Sequence, residues 1–226
     1  MSAPVPENPQ KTMVRIIDLS LSLKPGMRGV SVTPAFTVAK NGWNAANWGI
    51  YSHAGTHVDS PYHFEAAPTT IDQMPLDAFC GRAWVARIPN VQPRQWLTPA
   101  DLGPVAGKVE PNDCLLLQTG WSLHVDNTAV YRDGLPRISD ELANWLVEHK
   151  VKLIGVEPPS VADVNNIEEV SRIHKILLGA RITICEGLCH LDKLGEKTYF
   201  IAMPLKLHGG DGSPARAIAM EGFPGA

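Results

Sequence analysis

Apolar positions along the chain switch between two periods, and each switch marks an element. Val14-Arg-Ile-Ile-Asp-Leu-Ser20 is a β-branched run that predicts a first strand. Gly81-Arg-Ala-Trp-Val-Ala-Arg-Ile88 alternates and predicts another. Asp113-Cys-Leu-Leu-Leu-Gln-Thr119 is continuously apolar, as expected of a strand covered on both faces. Val151-Lys-Leu-Ile-Gly-Val-Glu157 and Arg181-Ile-Thr-Ile-Cys-Glu186-Gly187 are further strands. Between them the spacing turns helical. Ser139 caps a helix reaching about His149, with Leu142, Trp145 and Leu146 on one side. Asn166 opens a second helix, with Glu169 as its capping-box partner and Gly179 as its C′ glycine. Strands joined by helices predict right-handed parallel crossovers, hence the α/β class with a mixed, partly parallel sheet. Pro158-Pro-Ser160 breaks the chain at a strand's carboxyl end, where such folds place their sites.

Other segments are less regular. Lys24 to Asn47 is rich in Gly, Pro and Asn and reads as loop, with one short strand around Val30–Val32. Thr98-Pro-Ala-Asp-Leu opens a short helix with a capping threonine and proline at its first position. Tyr199–Leu207 and Ala215–Met220 flank Gly209-Gly-Asp-Gly-Ser-Pro as a hairpin-like pair. Those glycines are turn chemistry, since neither GxGxxG nor GxxxxGK[ST] occurs. No G-x-S-x-G elbow occurs either, which leaves serine-hydrolase chemistry without its usual signature.

The densest chemistry lies in His53-Ala-Gly-Thr-His57-Val-Asp59-Ser-Pro-Tyr-His63-Phe64. Positions 53, 57, 59 and 63 differ by even numbers, so an extended chain projects all four to one face. A helix would turn Asp59 away from His57, and Gly55, Thr56, Val58 and Pro61 disfavour one. A strand bent at Gly55 would deliver two imidazoles and a carboxylate to one point. A single histidine is ordinarily a satisfied core or surface residue. Three imidazoles and a carboxylate on one face are costly to bury without a cation, which predicts a first-row divalent metal site.

The string HxGTHxDxPxHF resembles the signature of the metal-dependent cyclase family, which includes bacterial kynurenine formamidases and isatin hydrolases. The resemblance covers most of residues 14–220 and implies a swivelling β/β/α fold. It also implies that His174 and Glu186 stand where the kynurenine formamidases hold a second metal, with Asp59 bridging it to one held by His53 and His57. A glutamate ending an apolar strand could alternatively pair with an arginine. Paired metals would activate water for attack on an amide-type carbonyl. His63 is the expected general base and acid, the role that the matching histidine has in the family. The chain departs from the specialised kynurenine formamidases in reading Gly55-Thr-His57 rather than Gly-Ala-His. It also runs Val30-Ser-Val-Thr-Pro-Ala-Phe36 in place of their Trp-Pro-Gly-Asp segment. The expectation is an arylformamidase-like hydrolase of amide-type C–N bonds. The alternatives are a cyclic-amide, isatin-type hydrolase with a single manganese, or a non-catalytic metal-binding protein. Zinc is the first expectation for one or two ions per chain, and manganese the second.

Composition narrows the rest. At 226 residues and 44% hydrophobic, the chain can bury one sizeable core. A net charge of −3 with no basic block gives no footprint for nucleic acid or an anionic membrane. No stretch approaches the run of about 20 apolar residues that spans a bilayer. The proline-rich start lacks an apolar h-region and predicts a disordered tail over residues 1–13, ahead of a single domain over 14–226. Cysteines 80, 114, 185 and 189 match no zinc-ribbon spacing and suit buried thiols in a reducing cytoplasm. Phe36, Trp43 and Trp121 are the expected walls of a small-molecule substrate pocket, whereas Trp48 is expected to pack a loop onto the body. The family resemblance also implies a homodimer or homotetramer.

Overall fold

The computed structural model describes residues 13–224, so the tail expected over 1–13 lies, apart from Met13, outside the described residues. Strands follow as β1 (Arg15–Asp18), β2 (Val30–Phe36), β3 (Ala45–Ile50), β4 (His57–Asp59), β5 (Cys80–Arg87) and β6 (Trp96–Leu97). The later ones are β7 (Cys114–Gln118), β8 (Arg137–Ile138), β9 (Leu153–Val156), β10 (Thr183–Glu186), β11 (Lys197–Pro204) and β12 (Gly212–Glu221). The α-helices are α1 (Val38–Asn41), α2 (Asp140–Glu148) and α3 (Ile167–Gly179).

Eight strands form one mixed sheet in the order β1-β12-β11-β5-β7-β9-β10-β4. Strands β5, β7, β9 and β10 run parallel, as the crossovers require. The other pairings are antiparallel, and the sheet curls until β4 meets β12 as well as β10. It is therefore barrel-like. The unbroken apolar runs have a simple cause: both faces are covered. Leu115, Leu117, Ile154, Val156 and Ile184 meet α2, α3 and the 3-10 segment Pro99–Gly107. Leu116, Leu153, Cys185, Val58, Phe200 and Ala217 fill a second cluster enclosed by the sheet. Each large side chain so buried contributes about 1.5–3 kcal/mol.

Helix α2 begins as its sequence predicts, with Ser139 Oγ accepting from Leu142 N at 3.0 Å. Helix α3 corrects two expectations. Asn166 caps it by accepting from Glu169 N at 3.2 Å, but the Glu169 carboxylate does not return the bond. It accepts instead from Asp163 N at 3.0 Å and pairs with Arg137 at 3.1 Å, tying down the loop after β9. Arg181, rather than Gly179, takes the left-handed backbone after the helix, at φ 63°.

The segment Lys24–Asn47, expected as loop with one short strand around Val30–Val32, differs most: that strand is present but longer, as β2, and it gains a partner in β3. Strands β2 and β3 pair antiparallel around α1 as a separate two-stranded arm, and every residue of β3 is exposed. With no face packed on a core, the arm carries no burial period for its sequence to display. Trp48, expected to pack inward, is 49% exposed on it.

Candidate metal centre

Three residues of β4 set the geometry. The strand pairs His57 with Glu186 and Asp59 with Ile184 of β10. Paired residues share a face, so His57, Asp59 and Glu186 project together toward α3, from which His174 reaches them. Val58, between the two ligand candidates, points the other way and is fully buried in the enclosed cluster.

The even-spacing expectation holds for His57 and Asp59 and needs correction for the other two. His53 arrives through a turn at Gly55, φ 62°, rather than along a strand. That turn crosses a second one at Gly187, φ 68°, where a Cβ would lie 2.4 Å from Gly55 O. Only glycine fits there. Thr56 locks the crossing by donating to Gly187 O at 2.5 Å and accepting from Leu21 N at 2.8 Å. His63 sits in a 3-10 turn, Pro61–Phe64, and its ring folds back to stack on His53 at 3.9 Å between centroids.

Together the side chains form two linked groups around Asp59: His53, His57 and Asp59; and Asp59, His174 and Glu186, each with ligand atoms within 4.8 Å of one another, while His53 and His63 group in the same way with the half-exposed Asp211. His57 Nδ1 donates to Gly55 O at 2.9 Å and His174 Nδ1 to Val170 O at 2.7 Å, so both rings present Nε2 to the cluster. His57 Nε2 lies 3.2 Å from Glu186 Oε2, and His174 Nε2 lies 3.6 Å from Asp59 Oδ2. Yet among the described residues His57 Nε2 and Asp59 Oδ2 form no directed hydrogen bond. Leaving such buried atoms unpaired costs about 1–3 kcal/mol each. Glu186 Oε1 accepts from Val161 N at 2.8 Å, which orients its second oxygen.

Electrostatics agree. Burial alone would lower the histidines, but the carboxylates outweigh it and lift His57 and His174, and bring His53 to about 9. Burial would likewise raise Asp59 and Glu186, yet the imidazoles hold both below the ordinary carboxylate range. The cluster attracts positive charge. Imidazole and carboxylate donors with unpaired buried lone pairs fit a divalent metal, and Asp59 is common to both groups. His63 behaves differently: burial pushes it below its usual value, against the pull of Asp59 and Glu186.

The reading of the sequence missed a carboxylate. Asp211, in the glycine turn before β12, reaches His53 Nε2 at 3.1 Å and lies 3.7 Å from His63 Nδ1. Its signal was the strand pairing of Gly212 with Asp59, which a linear motif does not contain. Two adjoining cavities open on the cluster. One of about 200 Å³ is lined by His53, His63, Phe64, Ser160, His174 and Glu186. The other, about 340 Å³, shares His53, Arg28, Arg132, Pro159 and Val164 with it. The expected aromatic walls lie elsewhere. Trp121 is 2% exposed in a small cluster with Tyr131 and Leu135, its indole donating to Tyr131 O at 2.9 Å. Phe36 and Trp43 pack on each other at 5.3 Å on the exposed arm and line neither cavity. No cysteine joins the ligand groups.

A barrel-like mixed sheet with His, Asp and Glu side chains gathered beside its seam defines an α/β protein built around a cation site. The family model described as "Putative cyclase" matches residues 17–163, and the chain belongs to that family. A protein named kynurenine formamidase from Salinibacter ruber (strain DSM 13855 / M31) is 29% identical over 221 residues, covering 91% of this chain and 97% of its own. Isatin hydrolase A from Labrenzia aggregata, solved with benzyl benzoate, superposes with a TM-score of 0.82 at 24% identity, covering 92% and 93%. Isatin hydrolase A from Ralstonia solanacearum gives 0.80 at 23% identity and 92% of each chain. These two structures share the fold.

Proposed function

We propose that the chain is a metal-dependent hydrolase of amide-type C–N bonds in small aromatic substrates, arylformamidase-like in its chemistry. The observation that carries this reading is the pair of orphaned ligand atoms, His57 Nε2 and Asp59 Oδ2, buried beside His63. His53, His57 and Asp59 would hold one ion; Asp59, His174 and Glu186 would hold a second. Zinc is the first assignment and manganese the alternative. Bound there, a divalent ion supplies Lewis acidity, polarising a carbonyl and making water acidic near neutral pH. His63 takes the proton from the attacking water on a ring nitrogen and returns it to the leaving nitrogen. Its stacking on His53 and its edge contact with Phe64, 4.4 Å between centroids, fix the ring for that transfer. Phe64 also packs on His174 at 4.3 Å, shielding one side of the ligand set from water.

Arg28 and Arg132 favour a substrate with an acidic tail. Arg28 lies over the Tyr51 ring at 5.6 Å and, among the described residues, pairs with no carboxylate. Arg132 is held at Nη1 by Asp133 and Asn165. Guanidinium groups at the mouth of the metal cleft suit a carboxylate, which N-formylkynurenine has and isatin lacks. The relative named kynurenine formamidase supports the same choice.

The exposed Phe36, Trp43 and Trp48 support a homodimer or homotetramer in which the arm packs on a second copy, bringing Phe36 and Trp43 to that copy's substrate side. Trp43→Ser with Trp48→Ser should then dissociate the oligomer in sedimentation, and an unchanged mass would remove the arm from the interface. Free cysteines suit the cytoplasm, and no helix among the described residues is long and apolar enough to cross a membrane. Metal analysis of chelator-free protein, followed by turnover of N-formylkynurenine and isatin, tests the whole reading. Metal-free protein, or metal-loaded protein inert on both amides, would overturn it.

A further inference from the structure

Each imidazole of the ligand set has a partner on its outer nitrogen. For His57 and His174 that partner is a backbone carbonyl on Nδ1, which leaves Nε2 as the inward lone pair. His53 is turned the other way. Its Nδ1 faces Asp59 Oδ1 at 2.9 Å, and its Nε2 faces Asp211 Oδ2 at 3.1 Å. From this geometry we infer that Asp211 is a positioning residue: it accepts Nε2–H of His53 and so fixes the one ring of the set that offers Nδ1 to the metal.

Asp211 is well mounted for this. Its carbonyl accepts from Ser60 N at 3.0 Å and Ser60 Oγ at 2.9 Å, and Ser60 is fully buried. The next residue, Gly212, pairs with Asp59 across β12 and β4, so the ligand and its support share one backbone register. A Cβ at Gly212 would lie 2.7 Å from His53 Cε1. The ring is thus seated against bare backbone, and the carboxylate closes its outer edge. Outer partners of this kind set the tautomer and basicity of a ligating histidine, and their loss costs roughly 10–100-fold in metal affinity. The distance from Asp211 to His63 Nδ1, 3.7 Å, exceeds a hydrogen bond, so His53 is its partner.

This inference rests on the metal-binding reading above, and its test separates the two. Long-range proton–nitrogen spectra of zinc-loaded, histidine-labelled protein should show His53 protonated on Nε2, with His57 and His174 protonated on Nδ1. Zinc competition against a chromophoric chelator should show Asp211→Ala binding about 10–100-fold more weakly. Asp211→Asn, which keeps an acceptor oxygen, should recover much of that loss. His53 protonated on Nδ1, or Asp211→Ala with wild-type affinity, overturns the positioning role while leaving the hydrolase reading intact. Wild-type protein that takes no zinc overturns both. Thermal melts of the metal-free variants separate a lost partner from a lost fold: if Asp211→Ala misfolds, the wild-type spectra decide, and His53 protonated on Nδ1 there overturns the role.

Discussion

Two adjacent strands each end in a buried glutamate, and the two have opposite surroundings. Glu157, just past β9, accepts from Thr119 N at 2.8 Å, Thr119 Oγ1 at 2.9 Å, Trp121 N at 3.0 Å and Ser122 Oγ at 3.0 Å. Among the described residues no cationic side chain pairs with it, and burial raises its carboxyl above the usual 4.5 against the pull of those donors. Glu186, at the tip of β10, faces two imidazoles and is held low. In sequence both read as a carboxylate closing an apolar strand. Register separates them: Glu186 shares the His57 face, whereas Glu157 follows Val156 onto the opposite side. A carboxylate saturated by hydrogen-bond donors organises a loop, whereas one that faces two imidazoles is a candidate metal ligand.

The sharpest way to break the comparison is to make the same change at both tips. Glu186→Gln should abolish turnover and lower metal content, because an amide is a poor ligand for a site that gathers positive charge. Glu157→Gln should keep both. Metal analysis beside kcat decides it, and metal loss in the Glu157 variant would erase the distinction. Next in size is His63→Ala, for which turnover should fall about 10²–10⁴-fold with metal retained. Loss of metal instead would move His63 into the ligand set. Arg28→Ala should raise KM for N-formylkynurenine by about tenfold, as expected from losing one charge-assisted contact, and leave a neutral formanilide unaffected.

The smallest expected effect is on stability. Glu157 binds its proton more tightly in the folded chain than in the unfolded one. Its contribution is therefore most favourable in acid and declines as pH rises from about 4.5 through the raised folded value. Melting temperatures of wild type and Glu157→Gln should lie nearest each other in acid, with wild type falling relative to the variant as pH rises. A gap independent of pH would mean that the donors had cancelled the effect of burial.

Much of this cluster is legible because β4 is extended and its candidate ligands alternate. His57 and Asp59 followed from spacing alone. His53 and His63 reach the cluster through turns rather than by strand alternation, which even spacing alone does not reveal. Asp211 was passed over because Gly209-Gly-Asp-Gly reads as a turn, and its meaning depends on pairing with a strand about 150 residues earlier. Apolar period exposed the parallel strands and both long helices. On the arm it marks only the start of β2, around Val30–Val32, because Pro34 and a wholly solvated β3 remove the burial on which such patterns depend. Trp121 was placed beside the substrate because it follows a strand end, yet it is the donor to Tyr131 that closes a satellite core.

Strand β4 is three residues long, and both of its neighbours, β10 and β12, come from the last fifth of the chain. It is the stave that shuts the barrel, and two of its three side chains are the proposed metal ligands. Ions held by His53, His57 and Asp59 and by Asp59, His174 and Glu186 would rivet that stave to its neighbour and to the helix outside. Loading the centre and shutting the barrel then become a single event. A chain that has not reached its ion would remain ajar at this seam, its β4 amides open to solvent exchange, while the parallel strands on the far side stay protected.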